Sequence, residues 1–499
     1  MPRTSDQIAR DPRRVAGVLL HPTSLPGHYG IGDLGDELIA FLDWAASAGM
    51  HLWQVLPLNP PGYGNSPYNC VSSVAGNPLL ISPHRLLQDQ LLTAEEIGEA
   101  PEFPAERVDF DRIVPWKAKL LRQGWSRFDV KTEAFGRFVA DERDWLDDFA
   151  AYMAIKTREG GAPWWTWERP IARHENGAMR KVQRELRDEI LFHKFVQYLF
   201  FKQWGAVREA ARSRDIRIMG DVPIYVAHDS ADIWANRNLF QIDDRGEPIV
   251  IAGVPPDYFS STGQRWGNPL YRWDAMRDEK YRWWITRIRT NLELADVVRL
   301  DHFRGFSAYW EVPAHEPTAI HGRWMPGPGA ELFEAIRAAL GDLPLVAEDL
   351  GFITPEVHAL RDSLGFAGMK ILQFGFSAPD SPHLPHRFRA HTVVYTGTHD
   401  NDTAVGWFEH ASEAERDLAR MYLGEDCTDV AWALIRAAYT SVAETAIVPV
   451  QDILGLGSDA RMNRPGAGVD NWSWRLSAGS LTPAHAVKLR RLAEITGRA

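Results

Sequence analysis

Three hydrophobic runs in this chain each end on a carboxylate. They are Val297-Val298-Arg299-Leu300-Asp301, Leu345-Val346-Ala347-Glu348-Asp349 and Val393-Val394-Tyr395-Thr396-Gly397-Thr398-His399-Asp400. Each has the apolar, β-branched character of a buried strand. Asp301, Glu348 and Asp400 fall 47 and 52 residues apart. Such spacing fits successive β/α units of a barrel whose active site lies at the C-terminal ends of its strands.

Strand-like runs occur at 15–21, 51–58, 216–226, 296–301, 343–348, 369–374, 392–396 and 446–453. Helical patterns lie between them, at 35–49, 191–212, 273–292, 355–364 and 433–445. Alternating strand and helix signals predict an α/β chain with a parallel sheet. Eight strands predict a single (β/α)8 TIM barrel over residues 1–499. Its spacing is uneven. Residues 59–215 are too many for one loop and helix, and their charged middle, 94–187, predicts a mainly helical insertion at the C-terminal face. A second insertion, 227–273, is rich in Gly, Pro, Asn and aromatics. Long loops at that face form lids or binding walls.

The formal net charge of −11 disfavours nucleic acid and anionic membranes as partners. Cys70 and Cys427 are too few for a disulfide framework and lack metal-ligand spacing, so both read as small buried residues. The N-terminus mixes Arg3, Asp6, Arg10, Asp11, Arg13 and Arg14 ahead of a short apolar run, which is not a signal peptide. No stretch approaches the roughly 18 apolar residues of a membrane span. A cytoplasmic enzyme is the expectation. Among 20 Trp, several stand in motifs rich in Gly, Asn, Gln and Pro, including Trp266, Trp324, Trp472 and Trp474. Such rings can stack on the apolar faces of sugars, although core packing is the commoner use of Trp.

Residues two apart in a strand face the same side, so Arg299 and Asp301 point together. A guanidinium beside a carboxylate favours the ionised form, which suits a nucleophile. Glu348 emerges from Leu345-Val346-Ala347, and desolvation there raises a carboxyl pKa, which suits a general acid. Taken singly, each acid also reads as a structural ion pair or cap. Together, three acids at three strand ends point to a hydrolase or transferase acting on sugars. His399-Asp400-Asn401-Asp402 lacks a second ligand cluster, so no metal is expected. Gly455-Leu456-Gly457-Ser458-Asp459-Ala460 imitates a dinucleotide fingerprint without its βαβ context, and no organic cofactor is expected.

At these residues the chain resembles the 4-α-glucanotransferases of glycoside hydrolase family 77, within the α-amylase clan. Matching motifs run through nearly the whole chain. They include His21-Pro22-Thr23-Ser24-Leu25-Pro26 with Gly30-Ile31-Gly32-Asp33-Leu34-Gly35, then Ser66-Pro67-Tyr68, then Gly220-Asp221-Val222-Pro223. Pro255-Pro256-Asp257-Tyr258-Phe259 precedes Gly263-Gln264-Arg265-Trp266-Gly267-Asn268-Pro269. Arg299-Leu300-Asp301-His302-Phe303-Arg304-Gly305, Ala347-Glu348-Asp349-Leu350-Gly351 and Thr396-Gly397-Thr398-His399-Asp400-Asn401-Asp402 follow. Ala460-Arg461-Met462-Asn463 and Asn471-Trp472 complete the set. His228 stands where the family pattern suggests an acidic residue.

The resemblance implies that Asp301 is the nucleophile of a retaining double displacement, Glu348 the acid–base and Asp400 a stabiliser of the transition state. Retention implies carboxyls of Asp301 and Glu348 about 5–5.5 Å apart. Arg299 and His399 would support the nucleophile and donor sugar. Ser66, Tyr68, Asp221, Asp257, Gln264, Trp266, His302, Asp349 and Asn471 would contact sugars, with Tyr258 and Phe259 on a loop over the acceptor side. The implied substrates are maltooligosaccharides, amylose or glycogen-derived glucans. An α-glucan hydrolase of the same clan and a non-catalytic glucan-binding protein are the alternatives. Product analysis would separate the first from transfer, and the intact acid trio argues against the second.

Overall fold

The computed structural model describes residues 14–256, 260–424, 429–467 and 470–499. Twelve strands are present among them: β1 (Val15–Leu19), β2 (Leu52–Gln54), β3 (Arg217–Pro223), β4 (Val250–Val254), β5 (Gln264–Pro269), β6 (Val297–Asp301), β7 (Ala308–Pro313), β8 (Arg323–Pro326), β9 (Leu345–Ala347), β10 (Gly368–Ile371), β11 (Thr392–Tyr395) and β12 (Thr445–Pro449).

Eight of these form one all-parallel sheet in the order β10-β11-β12-β1-β2-β3-β6-β9. A single parallel bridge, Val346 to Ala367, joins β9 to the start of β10 and closes the ring. The Ala347 N–H donates to the Ala367 carbonyl there at 2.9 Å. The chain is therefore the (β/α)8 barrel that its strand pattern predicts, and each of the eight runs supplies one barrel strand. β1, β2, β9 and β11 are buried throughout. That is why they read as unbroken apolar runs rather than alternating ones.

Between β2 and β3 lie helices Phe110–Arg127, Glu133–Asp141, Arg143–Arg158, Asn176–Glu185 and Arg187–Arg212. The last of these is 26 residues long and buries Phe192, Phe195, Val196, Leu199, Phe200, Trp204, Val207 and Ala211. The three- and four-residue steps between these positions make one apolar stripe. Its aromatic end meets Trp125, Phe128 and Phe135, while Trp204 packs on Trp53 of β2. One helix thus ties these helices to the barrel wall.

A second sheet departs from the sequence expectation. β5-β4-β7-β8 pair antiparallel, although the first insertion past β3 reads as loop. These strands are short and carry Gly253, Gly267 and Pro269, and β5 and β8 are largely exposed edges, so their alternation is weak. Gly263 turns the chain between β4 and β5 at φ +68°, where a Cβ would stand 2.3 Å from the Val254 carbonyl oxygen. Only glycine fits that turn.

The helical pattern at 273–292 is two helices, Trp273–Asp278 and Arg282–Leu294. Lys280 and Tyr281, both at φ 55°, break it, and the turn drives Tyr281 into the core. The pattern at 433–445 becomes helix Val430–Thr440. It stops short because Thr445 pairs with Val15 in the barrel. Cys70 is buried, whereas Cys427 lies outside the described residues. No helix among the described residues is long and apolar enough to cross a membrane.

Candidate active site

Strand register builds the centre of the site. β3 and β6 pair Asp221 with Arg299 and Pro223 with Asp301. Arg299 and Asp301, two apart, share a side of β6 as the period of a strand requires. One guanidinium therefore serves two carboxylates. Arg299 Nη1 donates to both oxygens of Asp221 at 2.8 and 2.7 Å, and Nη2 donates to Asp301 Oδ1 at 2.9 Å. The Arg299 side chain is only 4% exposed and that of Asp221 is fully buried, but Asp301 keeps 30% of its side-chain surface open. Buried charges of this kind are tolerable only when paired and hydrogen-bonded. Burial alone would discourage the Arg299 charge, yet Asp221 and Asp301 hold its pKa well above the usual arginine value.

Glu348 follows β9, whose Ala347 pairs with Leu300 of β6. The Glu348 N–H donates to the Leu300 carbonyl, and the Phe303 N–H donates to the Glu348 carbonyl, both at 3.0 Å. The side chain is buried as well. Its Oε2 accepts the His302 N–H and its Oε1 the Leu350 N–H, each at 2.8 Å. Burial, then repulsion from Asp301, pushes the Glu348 carboxyl up to about 8. It therefore carries a proton at neutral pH, beside an acid paired with arginine. A desolvated, raised carboxyl beside a second carboxyl paired with arginine is the arrangement of an acid next to a nucleophile. His302 takes a left-handed backbone at φ 52°, the kind of local strain that collects at functional sites.

The loop after β11 brings His399 and Asp400. It is shaped by Asn401, whose Oδ1 accepts from the Thr398 N–H and hydroxyl at 2.9 and 2.8 Å. Asp452, on the short helix Val450–Ile453 after β12, accepts from Thr396 and from the Ala404 N–H. Asp400 is half exposed and lies 3.4 Å from His399 Nε2. Asn463 donates to its Oδ1 at 2.6 Å, and Arg461 donates to its carbonyl at 2.7 Å. His399 stacks on Tyr68 with ring centroids 4.9 Å apart. The Tyr68 hydroxyl donates to Asp221 at 2.7 Å, and burial beside Asp221 keeps that hydroxyl protonated. Trp472 leans on both rings. A continuous contact chain thus runs from His399 through Tyr68, Asp221 and Arg299 to Asp301.

Asn463, Arg461 and Trp472 belong to motifs visible in the sequence, but their contacts to Asp400, Tyr68 and His399 cross long loops. Local pattern offers no signal for such pairings. Ser66 accepts the Tyr68 N–H at 3.2 Å. Trp266, on β5, meets the His302 ring edge-on at 4.7 Å, and its indole N–H donates to Gln264. Ser66 thus borders Tyr68, and Trp266 with Gln264 borders His302, the residue after Asp301. Two others engage different groups. Asp349 is buried, bonded to Arg361 and to the Met369 N–H. Asn471 ties together the loop at Arg464 and Ala467. Asp257, Tyr258 and Phe259 lie outside the described residues. His228 stacks on Trp165 at 3.8 Å and bonds the Gly246 carbonyl. Among the described residues, no three His, Cys, Asp or Glu side chains form a metal-binding group.

A family model described as 4-alpha-glucanotransferase matches residues 20–482. The 4-alpha-glucanotransferase of Thermus thermophilus is 49% identical, over 97% of this chain and 99% of its own. That of Aquifex aeolicus is 45% identical, over 93% and 95%. The structure of an amylomaltase from Streptococcus agalactiae in complex with acarbose superposes with a TM-score of 0.94 at 37% identity, over 98% of this chain and all of the other. With its barrel, its paired acids and these relatives, the chain belongs to the 4-alpha-glucanotransferase family, glycoside hydrolase family 77.

Proposed function

We propose that this protein moves α-1,4-glucan segments between maltooligosaccharides by a retaining double displacement, with Asp301 as nucleophile. Glu348 donates its proton to the leaving 4-hydroxyl as Asp301 attacks the anomeric carbon. A β-glucosyl ester forms on Asp301 and the glycosidic bond breaks. The acceptor 4-hydroxyl then gives its proton to Glu348 as its oxygen displaces Asp301, restoring both groups. Asp400, half exposed and steadied by Asn463, bonds sugar hydroxyls as positive charge develops on the ring. Arg299 holds the Asp301 carboxyl in place through its Nη2 donor, and His399 and Tyr68 line the donor side.

The observation that carries this reading is the contrast between Asp301, ion-paired to Arg299, and Glu348, desolvated and protonated. Transfer rather than hydrolysis is supported by the relatives' names. Trp266, against His302, adds an aromatic wall that favours a sugar acceptor over water.

The test is incubation with maltotriose while glucose, total reducing ends and oligosaccharide lengths are followed. Transfer yields glucose and longer oligomers at constant reducing ends. A rise in reducing ends would make the protein a hydrolase.

A further inference from the structure

Away from the acids, three side chains form a layered stack. Arg304 lies with its guanidinium carbon 3.8 Å from the ring centre of Trp324 and 5.3 Å from that of Phe352. It also donates to the Phe352 carbonyl. Arg304 is only 7% exposed, but Trp324 and Phe352 are 37% and 68% exposed. Behind Trp324 stands Trp310, 5.2 Å away and steeply inclined, fixed by its indole N–H on the Ala319 carbonyl at 2.9 Å. Two large rings thus flank one buried guanidinium and keep part of their surface open to solvent. Scattered exposed aromatics mean little, but a buried arginine locking two of them together is a built platform.

Its place in the chain is informative. Arg304 follows Asp301 by three residues, and Phe352 follows Glu348 by four. The two loops that carry the reacting pair therefore also carry the platform, and Trp324 reaches it from β8. Four residues span at most about 14 Å of chain.

We propose that Trp324 and Phe352 form a remote subsite for an α-1,4-glucan chain whose other end lies over Asp301 and Glu348. This inference rests on the transfer reading above. Pyranose rings present flat C–H faces that stack on aromatic rings, and the polar rim of such a chain stays in water. The exposed surface of the platform is aromatic, and its one charged group, Arg304, is buried and bonded to the Phe352 carbonyl. It suits a repetitive chain that slides and stacks, so it favours long glucans over short ones.

Phe352→Ala and Trp324→Ala test it, with Phe352→Trp as the aromatic rescue. Each is run in native gels containing amylose and assayed with amylose and with maltotriose. Losing one stacking contact should raise KM for amylose about fivefold and weaken retardation by amylose. Maltotriose turnover should stay near wild type, and Phe352→Trp should restore amylose binding. Phe352 is mostly exposed, so Phe352→Ala carries the test if Trp324→Ala fails to fold. Unchanged amylose KM and retardation, or equal losses on both substrates, would overturn the subsite. A wild-type protein retarded by amylose that raises total reducing ends on both amylose and maltotriose would instead sink the transfer reading, leaving the subsite in place.

Discussion

The backbone N–H of His302 donates to the carboxyl of Glu348 at 2.8 Å, from a residue held at φ 52°. The residue directly after Asp301 thus fixes the position of the other acid. The spacing of the two carboxyls is set through main chain rather than through two independent side-chain rotamers. A non-glycine residue in that conformation is held by its surroundings, here by the Trp266 ring and the Glu348 loop.

Glu348, raised to about 8, should give kcat/KM an alkaline limb near that pH, because the acid must hold its proton in the free enzyme. The same shift affects folding. The folded value lies above the ordinary 4.5, so the favourable contribution is complete below about pH 4.5 and is lost as pH rises through about 8. The unfolding free energy of Glu348→Gln should therefore improve relative to wild type across that window. Denaturant titrations at several pH values would show it, and a constant difference would refute it.

Arg299→Lys should be severe although it keeps the charge. A lysine cannot span Asp221 and Asp301 with a planar fork, and one buried carboxylate loses its partner. We expect kcat/KM to fall about 100-fold and stability by about 3 kcal/mol. Steady-state kinetics and urea unfolding measure both, and near-wild-type turnover would contradict the bridging role.

Asp301→Asn should abolish the ester. A donor with a ring-fluorinated glucosyl group should add one fluoroglucosyl mass to the wild-type protein and none to the variant, with kcat reduced about 10⁴-fold. Labelling of the variant in intact-protein mass spectra would move the nucleophile elsewhere.

Asp349→Ala should act on stability and spare chemistry. Its carboxylate is occupied by Arg361 and the Met369 N–H, and removing one partner of a buried charge pair costs about 3 kcal/mol. The melting temperature should drop while KM for maltotriose holds at permissive temperature. A rise in KM without a change in stability would place Asp349 against substrate instead.

Much of this could be read from sequence because barrel strands are buried on both faces and so stay mostly apolar, with charge confined to positions such as Asp221, Arg299 and Asp301. Arg299 and Asp301 were legible as neighbours because strand alternation leaves them no other geometry. The raised acidity threshold of Glu348 followed from the hydrophobic run before it. What stayed hidden was set by tertiary pairing. The β5-β4-β7-β8 sheet is built from short strands with exposed edges, and its periodicity is too weak to register. The break at Lys280 and Tyr281 interrupts a helical pattern that is continuous in composition. Asn463 reaches Asp400 across 63 residues, and nothing local to either residue signals it.

The bridge from Val346 to Ala367 gives the barrel a clasp. Seven of the eight neighbouring strand pairs are joined by hydrogen-bonded ladders, and the eighth, β9 to β10, by that bridge with Asp349 and Arg361 alongside. A hoop fastened this way yields first at its clasp. Here the clasp lies on the far side of β9 from Asp301, because the one ladder β9 makes is with β6. Any opening between β9 and β10 would carry Glu348 along with β6 and Asp301, so the distance between those two carboxyls is insulated from the weakest seam of the barrel.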